Sequence, residues 1–144
     1  MQPHGEVTTL SPRLRRIVAP NPGPMTGPGT NSYVVGDDEL VIVDPGPAIP
    51  SHIEALLACV GDKLRYIACT HTHPDHSPGA AVLAEATGAT LVGRVTADDR
   101  HQDLTFQPAW QIENDERITG MDWTLRAIST PGHVDNHVCY LLEE

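Results

Sequence analysis

Short apolar runs, broken by Gly- and Pro-rich punctuation, set the pattern of this chain. Residues 14–19 alternate weakly between apolar and basic positions and predict a first strand. Residues 20–29, rich in Pro and Gly, form a loop by composition. Residues 30–35 and 40–43 read as two strands joined by the turn Gly36-Asp37-Asp38-Glu39, which predicts a hairpin. Ser51-His52-Ile53-Glu54 has capping-box spacing and opens a helix with the apolar face Ile53, Leu56, Leu57 and Val60, stopped by Gly61. Residues 64–69 predict a strand, residues 79–86 an Ala-rich helix ended by Gly88, and residues 89–93 a short strand. Residues 95–115 are polar and irregular, the mark of a long functional or mobile connection. Residues 116–118, 122–128 and 137–142 predict further strands. Val41-Ile42-Val43 and Tyr140-Leu141-Leu142 are apolar at every position and read as strands covered on both faces. Strand–helix–strand–helix–strand order after an opening hairpin predicts an α/β fold with a mixed sheet.

Composition narrows this picture. A length of 144 residues fits a single domain, residues 1–144, and 40% hydrophobic with 19% charged residues is a globular balance. No apolar run approaches the roughly 20 residues that span a bilayer, so no membrane association is expected. The stretch Met1-Gln2-Pro3-His4-Gly5-Glu6 lacks the basic start and apolar core of a signal peptide. The cysteines Cys59, Cys69 and Cys139 are odd in number and form no C-x-x-C pair, which predicts reduced, mostly buried thiols and a cytoplasmic location. A net charge of -10 argues against a generic nucleic-acid surface. The basic cluster Arg13, Arg15 and Arg16 reads as the solvated face of an edge strand.

The candidate chemistry lies in His71-Thr72-His73-Pro74-Asp75-His76, directly after a predicted strand. Imidazole and carboxylate are both ligands of borderline metals such as zinc. Two-residue spacing puts the rings of His71 and His73 on one side, where both can grip one ion. Pro74 turns the chain, so Asp75 and His76 aim toward a second ion. His133 arrives from another strand–loop junction after Pro131-Gly132 and can complete a three-imidazole site with a free fourth position. His4, His52 and His101 stand alone and read as surface residues, and Cys69 reads as a buried strand thiol rather than a ligand.

H-x-H-x-D-H followed by T-P-G-H resembles the metallo-β-lactamase fold superfamily. The segments Asn21 to Gly36 and Val41-Ile42-Val43-Asp44-Pro45-Gly46 are similar to the branch containing β-lactamase-like protein 2 and its glyoxalase II relatives. The resemblance implies an α/β fold, a four-layer αββα sandwich, with a dinuclear site, usually zinc, though another divalent metal would serve. His71, His73 and His133 would hold the first metal, and Asp75 and His76 would belong to the second. Asp75 would also orient the water that attacks. Asp44 would brace the site from behind the ligands, or merely cap the turn before Pro45, and His137 would stand near it. In the family the strand matching residues 138–142 is followed by a bridging Asp and a last His. Here the chain stops at Glu143-Glu144, so the expectation is a C-terminally truncated fold that self-associates or lacks a C-terminal segment. The implied function is a metal-dependent hydrolase of an ester, thioester, lactone or phosphodiester, with a small-molecule substrate favoured over RNA. The alternative is a non-catalytic or partner-dependent metal-binding half-domain.

Overall fold

A computed structural model describes residues 3–96 and 100–143. Residues 1, 2, 97–99 and 144, which include parts of the N-terminal stretch, of the 95–115 connection and of the chain end, lie outside the described residues. Among the described residues the strands are β1 (Thr8–Ser11), β2 (Leu14–Val18), β3 (Asn31–Val35), β4 (Leu40–Val43), β5 (Leu64–Ala68), β6 (Thr90–Gly93), β7 (Trp110–Gln111), β8 (Arg117–Thr119), β9 (Thr124–Ser129) and β10 (Val138–Glu143). The helices are α1 (Pro50–Val60) and α2 (Gly79–Thr87). Strands β1 to β7 form one sheet in chain order, and β10-β9-β8 form a second. β1 to β4 pair antiparallel, whereas β4 to β7 pair parallel because α1 and α2 provide the first crossovers.

The middle of the large sheet, around β4, is buried on both faces. Strand alternation sends Ile42 and Ile67 toward α1 and α2, where they pack with Ile53, Leu56, Val60 and Leu83. Val41, Val43, Ala68 and Val92 point the other way, against Ile118, Leu125, Ala127 and Val138 of the small sheet. This explains the unbroken apolar run of β4 and gives three stacked layers: helices, large sheet, small sheet. β10 departs from the expectation for residues 140–142. Only one face is covered among the described residues, and Leu141 is 44% exposed.

Three local expectations are overturned. Pro50 opens α1 with Ile49 at the N-cap and no side-chain cap, so the capping box at Ser51 does not form. Proline's fixed φ and missing N–H suit that first position and move the helix start upstream. His52 then falls on the inward face beside Ile53 and Leu56, buried, with Nε2 at 2.9 Å from the Ser32 hydroxyl. β2 is not an edge strand, because β1 pairs with it. Arg13 and Arg15 therefore reach carbonyls, those of Asp122 (2.5 Å) and Gly36 (2.9 Å), rather than lining a solvated edge. β1 and the two-residue β7 were too short and polar to stand out by periodicity. The thiols divide: Cys69 is buried as expected and Cys139 is exposed.

Candidate metal centre

The site forms where the ends of the two sheets are sewn together. The chain leaves β5 at Ala68 and passes through Cys69 and Thr70 before reaching His71. Thr70 accepts a hydrogen bond from the Val138 amide (2.8 Å), and the Tyr140 hydroxyl donates to the Cys69 carbonyl (2.9 Å). These bonds tie the start of β10 to the end of β5. The β9–β10 connection, held as a tight loop by Thr130 N–H to the His137 carbonyl (3.0 Å), then carries His133 over the H-x-H segment.

His71, His73 and His133 converge. One ring nitrogen from each lies within 4.8 Å of the other two. Ring centroids are 4.8 Å apart for His71 and His73, 4.7 Å for His73 and His133, and 5.1 Å for His71 and His133. The sequence placed these three together by spacing and resemblance, and the fold brings them together. His137 joins the rim, its ring 4.9 Å from that of His71 and its Nδ1 against the Thr130 hydroxyl (2.8 Å). Asp75 and His76 lie beside the triad in a different arrangement. His76 donates Nδ1–H to Asp44 Oδ2 (2.9 Å), and its Nε2 faces Asp75 Oδ2 at 3.4 Å. His4 and His101 are exposed.

The triad suits a divalent ion. His71 is only 4% exposed and its Nε2 is buried with no hydrogen-bond partner. Burial, reinforced by the surrounding imidazoles, pushes its pKa down to about 3, and burial lowers His73 and His137 as well. Neutral rings with bare nitrogens are the form that a metal binds. Burial also pulls on His76, but its hydrogen bond to Asp44 and the charges of Asp44 and Asp75 outweigh this and raise its pKa.

Asp44 braces the site, and does more than cap a turn. It adopts a left-handed φ of 55°, a costly conformation for a residue with a Cβ. Its carboxylate accepts from the Thr70 amide and hydroxyl (both 2.7 Å) and from His76, and its carbonyl accepts from Ser32 (2.6 Å). The Pro- and Gly-rich loop presses on the same region. Thr30 donates to the Asp75 carbonyl (2.8 Å), and a Cβ at Gly29, φ 143°, would collide with the Ala19 carbonyl oxygen.

Sequence reasoning passed over a second brace. Buried Asn136 donates to the Thr72 hydroxyl (3.1 Å) and the Arg94 carbonyl (2.9 Å), locking the His133 loop to the H-x-H segment. Thr72 also donates to Gln102 (2.5 Å), and its carbonyl accepts from the Asp103 amide (2.7 Å). Gln102 and Asp103, within the stretch read as an irregular connection, thus serve as supports. The only signal in the sequence was the polar content of a loop beside a metal-type motif.

The sequence and the fold both have known relatives. The family model of the metallo-beta-lactamase superfamily matches residues 25–144. Lactamase-like protein vrtG of Penicillium aethiopicum is 38% identical over 142 residues, covering 96% of this chain and 44% of that protein. Atrochrysone carboxyl ACP thioesterase dmxR1 of a Cryptosporiopsis species is 32% identical over 148 residues, covering 100% of this chain and 44% of that protein. The chain therefore spans less than half the length of these curated relatives. Among solved structures, a HARLDQ-motif variant of a metallo-beta-lactamase from Cronobacter sakazakii superposes with a TM-score of 0.78 at 19% identity, covering 95% of this chain and 59% of that one. A subclass B3 metallo-beta-lactamase of Bradyrhizobium japonicum gives 0.74 at 21% identity, over 95% of this chain and 56% of that one. The two layers of strands, the helices on one face and the family match over most of the chain lead to one conclusion: this chain belongs to the metallo-beta-lactamase superfamily.

Proposed function

We propose that the chain holds a divalent ion, zinc foremost, on His71, His73 and His133, and that the protein is a metal-dependent hydrolase of thioesters. The observation that carries this reading is the convergence of three ring nitrogens within 4.8 Å. When bound, the ion supplies Lewis acidity and a water made nucleophilic near neutral pH. The chain's own residues do the rest. Asp75, at the rim beside His76, orients the attacking water and accepts its proton, and these two residues are the ligands available to a second ion. Asp44 and His137 steady the rings behind and beside the triad.

Thioesters are chosen because relatives at 32% and 34% identity are named as thioesterases. Esters, lactones and phosphodiesters are the remaining classes, and the net charge of -10 weighs against RNA. The segments from Asn21 to Gly36 and Val41 to Gly46 support a place near the branch of β-lactamase-like protein 2 and glyoxalase II. Three free thiols fit a reducing cytoplasm. Among the described residues no helix is long and apolar enough to cross a membrane. An open apolar cleft of about 320 Å³ between β2, β3 and β10, lined by Leu14, Tyr33, Val35, Tyr140 and Leu142, supports closure by self-association or by further chain. Light scattering that finds a monomer without apolar-dye binding would count against it.

The test is turnover of a simple acyl thioester by the zinc-loaded chain, followed by release of free thiol. Hydrolysis that a chelator abolishes and zinc restores is expected. Zinc binding without turnover would favour the second reading, a non-catalytic or partner-dependent metal-binding half-domain. Neither binding nor turnover would overturn both.

A further inference from the structure

Thr70 stands at the centre of a proton chain that the metal-centre reading leaves unused. Its hydroxyl lies 2.7 Å from Asp44 Oδ2 on one side and 2.8 Å from His71 Nδ1 on the other. A hydroxyl has one proton and a carboxylate has none to give. Two oxygens at 2.7 Å without a proton between them would repel, so the Thr70 proton points to Asp44. The Thr70 oxygen is then an acceptor, and the proton between it and His71 must come from the ring. His71 is therefore protonated on Nδ1 and bare on Nε2. That bare nitrogen is the buried atom with no partner, turned toward the imidazole cluster.

The same carboxylate oxygen receives Nδ1–H of His76 at 2.9 Å. Asp44 thus sets one ring directly and the other through Thr70. In water a neutral imidazole prefers its proton on Nε2, the atom that a metal would need. The chain spends a strained φ at Asp44 and a buried carboxylate on reversing that preference.

We propose that Thr70 is a positioning residue that transmits the Asp44 charge to His71 and holds His71 in the Nδ1–H tautomer. The idea rests on the metal-centre reading for its purpose and on hydrogen-bond geometry alone for its content. Thr70→Val keeps the side-chain shape and leaves the amide bond to Asp44 Oδ1 (2.7 Å) in place. Thr70→Ser keeps the hydroxyl. The tautomer of His71 is read by long-range nitrogen–proton NMR on the metal-free, ¹⁵N-labelled protein, and zinc affinity by competition with a chromophoric chelator.

The expected result is an Nδ1–H tautomer in the unsubstituted protein and in Thr70→Ser, and a shift toward Nε2–H in Thr70→Val. Zinc binding should weaken about 10- to 100-fold in Thr70→Val, the usual cost of losing a ligand's outer partner, and recover within about threefold in Thr70→Ser. An Nε2–H tautomer in the unsubstituted protein overturns the inference, and that spectrum decides it even if Thr70→Val fails to fold. So does a Thr70→Val protein with unchanged tautomer and affinity. Should the unsubstituted chain bind no zinc, the metal reading falls while the metal-free spectra still decide the role of Thr70.

Discussion

The two halves of the six-residue motif differ more in the structure than in the sequence. His71 and His73 present ring nitrogens to an open point that His133 also faces, and Nε2 of His71 has no protein partner. Asp75 and His76 face each other, and His76 is bound from behind by Asp44. Both halves consist of ligand-type residues at the end of one strand. The difference is that a second sheet delivers a third imidazole to the first half, whereas the described residues deliver nothing equivalent to the second. A ligand motif becomes a site only when another element completes it.

Substitutions that break this contrast come first. Removing a triad ring, His71→Ala or His133→Ala, should weaken zinc binding about 1,000-fold, roughly 4 kcal/mol. His76→Ala should weaken it less than about tenfold. Calorimetric titration of the three variants reads the difference, and equal losses would erase it.

Asp44→Ala comes next. It strands three donors around a buried carboxylate position, and each unmet donor costs about 1–3 kcal/mol, so a loss of about 3 kcal/mol is expected in urea unfolding. Asp44→Gly should be milder by about 1 kcal/mol, because φ of 55° costs glycine nothing. Asp75→Ala, with a partly exposed side chain, should cost about 0.5 kcal/mol or less.

Acid should then separate the halves by sign in the metal-free protein. His71 is held near 3 by burial, so below 6.5 the unfolded chain binds a proton that the folded one refuses. Stability falls as pH drops through that window, by roughly 2 kcal/mol at pH 5 from this ring. His76 is shifted upward, so its contribution is intact below 6.5 and fades as pH rises through its folded value. Urea midpoints from pH 5 to 8, compared with His71→Ala and His76→Ala, should show acid sensitivity reduced in the first variant, where the lowered His73 and His137 remain, and alkaline sensitivity lost in the second. Asn136→Ala frees the His133 loop from Thr72 and should cost about tenfold in zinc affinity.

Much of this was legible before any coordinates. Period-two spacing announced His71 and His73, and unbroken β-branched runs announced buried strands such as β4. The helices were found to within a few residues. What escaped was whatever depended on contacts between distant segments. Thr70 and Thr72 look like ordinary hydroxyls in a T-H-T-H string until the fold sets Asp44 behind one and Asn136 against the other. His52 looked solvent-facing until Pro50 fixed the phase of α1 and Ser32 offered a buried partner. The role of Asp44 stood undecided between a cap and a brace, because only the register of β4 against β5 brings it to Thr70.

Metal content tests the central claim most directly. The purified chain is loaded with excess zinc, dialysed against metal-free buffer and measured by elemental mass spectrometry. One zinc per chain is expected, retained in His76→Ala and lost in His71→Ala. None at all, or one that survives loss of His71, would contradict a centre built on His71, His73 and His133, and two equally retained ions would erase the difference between the halves of the motif.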